Sequence, residues 1–168
     1  MYTKSISRLS FLVLVTIQGF IGGGYSVHGS LDLVVEEGQT VTITDGQYEN
    51  ILILEGTLIA EGQLTVTKRL RVSGGELHIK GSLNASSARV DISLSKVTIS
   101  ASPKDVKNQA QIINIGQESV FETSGDWIVE RMRIIEGGTL QTPPTKAHIL
   151  SITADSFTLD YGAHVHVS

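Results

Sequence analysis

The chain has 168 residues, with 13 lysines and arginines against 17 aspartates and glutamates, a formal net charge of −4 and no cysteine. The lack of cysteine excludes a disulfide-stapled scaffold and a thiolate metal site, and a chain of this length is expected to form one domain. The basic residues are spread along the mildly acidic chain, which argues against a nucleic-acid partner.

Residues 1–29 have the features of a secretory signal peptide. Lys4 and Arg8 supply positive charge, Leu9–Ile17 is mostly apolar, and Gly22–Gly24 interrupts that run before small residues suited to cleavage near 27–30. The run is shorter than the roughly 20 residues that span a bilayer, so cleavage is favoured over a retained anchor. We therefore expect a secreted or cell-surface protein with no membrane span in the mature chain. Without Lys4 and Arg8, the balance of basic and acidic residues gives the mature chain a net charge of −6.

Short apolar segments recur with a 13-residue period between Ile51 and Ile99. The repeated positions form two series: Ile51, Leu64, Leu77, Val90 and Ile53, Val66, Ile79, Ile92. Most segments alternate apolar and polar residues and are separated by glycine-containing turns, which predicts strands. A fixed period is typical of a stacked solenoid. We interpret the 13-residue unit as half of a 26-residue coil, which would place Ile51 above Leu77, Leu64 above Val90 and Ile53 above Ile79.

Two polar segments that contain proline, near 101–111 and 141–146, are predicted to be loops. Strand patterns resume after each loop and continue to Val167. The chain stops directly after a predicted strand with no polar cap, although solenoids normally carry terminal caps. This predicts either self-association through the C-terminal end or a chain that is a fragment of a longer protein.

Two stretches, Leu64–Ile79 (LTVTKRLRVSGGELHI) and Ile152–Val167 (ITADSFTLDYGAHVHV), resemble the rungs of secreted right-handed parallel β-helix proteins. That class includes surface adhesins and some polysaccharide-degrading enzymes. The resemblance covers most of residues 40–168 and implies an all-β, single-domain parallel β-solenoid over 30–168. The alternative fold is an antiparallel β-sandwich, whose strands also recur at intervals of about 8–12 residues. Register over the repeats favours the solenoid.

Acidic residues flank Trp127, the only tryptophan of the chain. Glycoside cleavage needs two carboxylates roughly 5–10 Å apart, and sugars stack on aromatic rings. Asp126 and Glu130 are therefore the candidate catalytic residues and Trp127 the candidate ligand-binding residue, although so large an apolar side chain is also expected in a core. His78 and Asp91 would stack as an acid–base pair only if the 13-residue unit were a whole coil. With 26-residue coils they lie on different faces.

Three further residues are candidates for a metal site and a modification. His164 and His166 are two positions apart, so a strand would point both to the same side, near Asp160. The competing interpretation is a pair of exposed histidines on a terminal strand. Asn84 begins an Asn-Ala-Ser sequon at a predicted turn, which would be glycosylated only in a eukaryotic host. No motif indicates a cofactor.

These observations favour a secreted, non-enzymatic structural or adhesive scaffold that presents repeated polar side chains to a glycan or an extracellular protein. Many weak contacts would supply its affinity. The alternative is a β-helix polysaccharide lyase or glycosidase. That function needs two carboxylates, or a carboxylate with arginine or lysine, converging on a groove.

Overall fold

A computed structural model describes residues 32–100, 107–144 and 149–166. These residues form two sheets of seven strands each and contain no helix. Every strand pairs in parallel with the strand two places along the chain, so the polypeptide coils alternately through one sheet and the other. The parallel β-solenoid is thereby confirmed. The antiparallel sandwich is excluded for the described residues because all their strand pairs are parallel.

The two sheets contain alternate strands of the chain. Sheet A consists of β1 Asp32–Val35, β3 Gly46–Leu54, β5 Leu64–Ser73, β7 Leu83–Ser93, β9 Asn108–Ile115, β11 Gly125–Ile134 and β13 Leu150–Leu159. Sheet B consists of β2 Thr40–Ile43, β4 Thr57–Ala60, β6 Glu76–Ile79, β8 Lys96–Ile99, β10 Val120–Thr123, β12 Thr139–Gln141 and β14 His164–His166. Neighbouring strands in such sheets lie about 4.8 Å apart.

The length of one coil differs from the prediction. Ile51 pairs with Leu70 of the next coil, and Leu70 pairs with Val90 of the coil after it. Partners in these coils are 18 to 20 residues apart. The separation is 18 in the Asp45–Gln63 hydrogen bond, 19 in the Glu49–Lys68 ion pair and 20 in the Ser73–Ser93 hydrogen bond. The predicted 26-residue coil is therefore wrong, and so are the three stacked pairs that it implied. Leu77 lies between Leu58 and Val97 in sheet B, whereas Ile51 lies in sheet A.

The 13-residue period arises because each coil has three segments. The pairings of β3 with β5, of β5 with β7 and of β7 with β9 each shift register near their middle, as between Thr65 and Arg69 of β5. These sheet A strands thus divide into two segments, and the sheet B strand is the third. Moving 13 residues along the chain therefore moves two segments ahead, to a different side of the coil each time. Three such steps lead from Ile51 to Val90, which occupy the same column two coils apart.

Aliphatic columns fill the space enclosed by the coils. Side chains alternate between the interior and solvent along each strand, as in β5, where Leu70 and Val72 are buried and Arg69 and Arg71 are exposed. Parallel pairing places aliphatic side chains of successive coils directly above one another. Leu58, Leu77 and Val97 form one such interior column, and each is at most 1% exposed. Burial of these columns supplies the stability that a chain without disulfides needs.

Glycines allow the tight stacking of two turns. A Cβ on Gly81 would lie 2.3 Å from the Gly62 carbonyl oxygen, and one on Gly75 would lie 2.4 Å from the Gly56 carbonyl oxygen. Both contacts involve backbone atoms, which cannot swing aside as a flexible side chain does. These positions therefore need glycine for its lack of a side chain.

Several predicted boundaries change. Strand β9 begins at Asn108, so the last part of the predicted 101–111 loop is strand, and Gln141 of the second predicted loop ends β12. The turn predicted at the Asn84 sequon lies inside β7, close to a register shift between Ala85 and Arg89. The predicted signal peptide at 1–29, with Lys4 and Arg8, lies outside the described residues, as do 101–106, 145–148 and 167–168. Within the described ranges, no helix has the length and apolar character required to cross a bilayer.

Candidate ligand-binding face

Five of the six arginines of the chain lie on the outward side of sheet A; the sixth, Arg8, is outside the described residues. They occupy two adjacent columns between β5 and β13, which together we call the arginine face. Its first column is Arg69, Arg89, Ile112, Arg131 and Ser156, and its second is Arg71, Asp91, Asn114, Arg133 and Thr158. Arginines that are widely separated in the sequence are thus gathered on one surface of an acidic protein.

The alternation of β-strands explains this placement. Arg69 and Arg71 flank the buried Leu70, and Arg131 and Arg133 flank the buried Met132. Residues two apart in a strand point to the same face, so each pair projects outward together. Parallel registration then aligns the pair on β5 with Arg89 on β7 and with the pair on β11.

Asp91 is the only carboxylate within the two columns, and three side chains donate hydrogen bonds to it. Its Oδ1 accepts from Arg89 Nε at 2.7 Å and from Asn114 Nδ2 at 2.9 Å, and its Oδ2 accepts from Arg69 Nη2 at 3.0 Å. Burial of the carboxylate acts to raise its pKa, but the hydrogen bonds from Arg89, Asn114 and Arg69 leave the pKa below its ordinary value. Asp91 therefore stays ionised and orients two of the arginines.

The other three arginines differ in their pairing. Arg133 donates from Nη2 to Oδ2 of Asp160, the residue that directly follows β13, at 2.8 Å. Arg71 and Arg131 are exposed and make no ion pair with any residue that the structure describes. Because the guanidinium group remains charged at all physiological pH values, these two are free cations available to a ligand.

An open depression of about 370 Å³ lies within the arginine face. Its lining crosses four strands of sheet A, from Arg89 on β7 through β9 and β11 to β13. On the last three strands the outward lining residues are Ile112 and Asn114, Arg131 and Arg133, and Ser156 and Thr158. The depression thus combines cationic walls with neutral hydrogen-bonding groups.

Sheet B presents a different outward surface, with charges of both signs and no arginine on its described strands. His78 Nε2 lies 2.9 Å from Glu76 Oε2, and Gln141 donates to Glu122 at 2.9 Å. His78 is on β6 of sheet B and Asp91 on β7 of sheet A, so the two are not a stacked pair. This agrees with the expectation that they lie on different faces.

Trp127 lies in the core and not on a binding surface. It is 1% exposed, packs edge-on against Phe121 with ring centroids 5.4 Å apart, and donates from Nε1 to Thr123 Oγ1 at 3.1 Å. A sugar cannot stack on a ring in this position. Asp126 and Glu130 are exposed on the same strand, β11. Their catalytic role stays a prediction.

His164 and His166 lie side by side on β14, exposed, with their rings stacked 5.9 Å apart between centroids. Among the described residues, no group of three or more histidine, cysteine or acidic side chains is arranged to hold a metal ion. A described residue could therefore act as a third ligand beside His164 and His166 only after its side chain moved toward them. The metal site stays a prediction.

Asn84 is half-buried on β7, where it aligns with Thr65 of β5 and Gln109 of β9. Its Oδ1 accepts a long hydrogen bond, 3.4 Å, from the Ser86 backbone nitrogen. The sequon thus lies in a paired strand and not in the predicted turn. Its glycosylation stays a prediction.

The last described coil leaves part of its interior side uncovered. Phe157 is 47% exposed, Leu159 49% and Val165 41%, although each continues an interior column from Met132, Ile134 or Leu140. The columns therefore end in an apolar surface at β13 and β14. This surface is where the sequence predicts self-association.

Comparison of the chain with protein-family models, with curated proteins and with solved structures finds no match.

Proposed function

We propose that this protein is an exported, non-enzymatic binding scaffold whose arginine face holds an extracellular glycan or protein. The observation that carries the proposal is the alignment of the five arginines on one side of a stacked sheet. A solenoid repeats its outward positions at a fixed spacing, so it can offer several equivalent contacts to an extended partner. No single deep cavity is needed for such binding.

The alternative function is a polysaccharide lyase or glycosidase, because Arg89, which lines the depression, pairs with the carboxylate of Asp91. That carboxylate is a poor general base, since its lowered pKa makes proton abstraction unfavourable. Its three donors also occupy both of its oxygens. The geometry therefore supports a structural role for Asp91 and favours binding over catalysis.

Retention of the purified protein on a glycan array, on cells and on extracellular-matrix proteins tests the proposed function. We expect retention by at least one of these surfaces, with no cleavage of a polysaccharide panel. Retention on none of them would contradict the binding function. Polysaccharide cleavage that is lost in Asp126→Ala would establish the enzymatic alternative instead.

Export is tested separately by expressing the full chain in a secreting host. We expect the exported protein to begin near residues 27–30 by mass spectrometry of its N-terminus. An intracellular product that retains Met1 would contradict the predicted signal peptide.

A further inference from the structure

From the arginine face we infer that the ligand of this protein is a linear anionic polysaccharide that lies across the strands, along the two columns. The inference rests on the proposed binding function and names its ligand class. Guanidinium groups bind carboxylate and sulfate through paired, charge-assisted hydrogen bonds, and a neutral glycan offers no charged acceptor for them. The free cations Arg71 and Arg131 are the principal contacts.

The charge of the face differs in sign from that of the whole protein. Five arginines, less the paired carboxylates Asp91 and Asp160, give the two columns and their ion-pair partners a net charge of about +3. The exposed Glu130 and Asp155 at the edge of the face reduce this to about +1, whereas the chain carries −4. An anion therefore approaches this side of the protein in preference to the others.

The spacing of the charges suits an extended polymer. Three strand intervals separate β5 from β11, so the arginine pairs on these strands lie about 14 Å apart, with Arg89 between them. A small anion such as a single carboxylate contacts one of these positions and gains nothing from the others. A polymer engages them together.

Neutral polar groups alternate with the cations. Asn114 on β9 and the hydroxyl groups of Ser156 and Thr158 on β13 line the depression beside Arg131 and Arg133. Amide and hydroxyl groups both donate and accept hydrogen bonds, as sugar hydroxyls do. The face thus matches a chain in which acidic groups are separated by hydroxyl-bearing rings.

A nucleic acid fits this surface less well. Duplex DNA carries one charge per about 1.7 Å of its axis, so it would bring about eight phosphates over the roughly 14 Å that the arginines span. The two columns also contain no aromatic side chain on which a base could stack.

The test measures binding of the full-length exported protein to polygalacturonate, which carries carboxylates, to dextran sulfate, which carries sulfates alone, and to neutral dextran. The test variant is Arg71→Gln/Arg131→Gln. The matched control is Lys80→Gln/Lys96→Gln, which removes the same charge from the sheet B side of the molecule. Thermal unfolding of both variants checks that their folds are intact.

We expect binding to at least one anionic polymer, no binding to dextran, and affinity roughly tenfold weaker in the arginine variant, with little change in the lysine variant. Whichever of the two anionic polymers binds more tightly identifies the acidic group. Equal loss in both variants, or equal binding of dextran, would overturn the inference. Tighter binding of single-stranded DNA than of either polysaccharide would also overturn it.

Failure of the inference and failure of the proposed function are distinguishable. If the protein is retained on cells or matrix proteins and neither anionic polymer competes with that retention, the ligand class is wrong and the binding function stands. If the protein is retained on no surface, both are wrong.

Discussion

Replacing Asp91 by asparagine removes the only carboxylate of the two arginine columns while nearly preserving the shape of the side chain. The carboxylate is 17% exposed and accepts hydrogen bonds from two arginines that are themselves about half exposed. Hydrogen bonds to charged groups contribute about 1.5–3 kcal/mol when buried, and exposed ion pairs about 0.2–1 kcal/mol. Because asparagine keeps one acceptor oxygen, we expect Asp91→Asn to lower the free energy of unfolding at pH 7 by about 1–2 kcal/mol.

The effect should depend on pH in a defined direction. Folding lowers the pKa of Asp91, so the unfolded chain binds its proton more readily than the folded chain. The stabilisation is therefore complete above the unfolded pKa of about 3.9 and is lost as the pH falls through the lower folded value. Wild type and Asp91→Asn should converge in stability below that pH.

Urea unfolding followed by Trp127 fluorescence measures this prediction, since Trp127 is the sole tryptophan and is buried. Asp126→Asn is the matched control, because it makes the same chemical change at an exposed position of β11. If both variants unfold alike at pH 7, or if the deficit of Asp91→Asn persists at low pH, the ion-pair explanation is wrong. The same variant should bind an anionic polymer more tightly, by roughly 2- to 30-fold, because Arg69 and Arg89 are released.

Three further predictions concern the stacking of the coils. Gly81→Ala should lower the free energy of unfolding by about 1–3 kcal/mol in urea titrations, because its Cβ would meet backbone of Gly62; a stability like that of wild type would contradict the contact. Leu77→Ala should cost about 2–5 kcal/mol in the same assay, since the side chain is 0% exposed, and a loss below about 1 kcal/mol would argue against its place in an interior column. If the chain self-associates through its C-terminal coil, light scattering will show concentration-dependent oligomers that Phe157→Ser/Leu159→Ser abolishes; a monomer at every concentration removes this prediction.

The strands themselves could be predicted from the sequence, because their alternation survives in every coil. Leu64 and Val66 are buried as the pattern of β5 predicts, and so are Leu77 and Ile79 in β6. Alternation depends only on neighbouring residues, so an incorrect coil length does not disturb it.

The coil length could have been found from a second repeat that the 13-residue series obscured. The segments GTLIAEGQL at 56–64 and GELHIKGSL at 75–83 share glycine and leucine at four positions. The offset between the two segments is that of the Glu61–Lys80 ion pair, 19 residues. The glycines reflect close contact between turns and therefore report the true stacking. The aliphatic series says less about the coil length. Every side of the coil needs aliphatic residues, so a spacing that connects two different sides also connects aliphatic residues.

The arginine face could not be predicted without that correct length, because a cluster across strands exists only in register. Arg89 and Arg131 are far apart in the sequence and become second neighbours only through the intervening Ile112. The coil between β7 and β9 is longer than the earlier ones, since the stacked Asp91 and Asn114 are 23 residues apart. The extra residues of the longer coils, before β9 and before β13, fall between a sheet B strand and the next sheet A strand.

Insertions at that corner change the sequence spacing and leave the outward columns of sheet A aligned. Asp91 still pairs with Asn114, and Asn114 pairs with Arg133. The alignment is kept although the coil from Asp91 to Asn114 is longer than the coil from Asn114 to Arg133. The fold can therefore vary in length at this corner while it keeps the cations together. For the same reason, the spacing of the arginines along the sequence does not reveal that they align on one face.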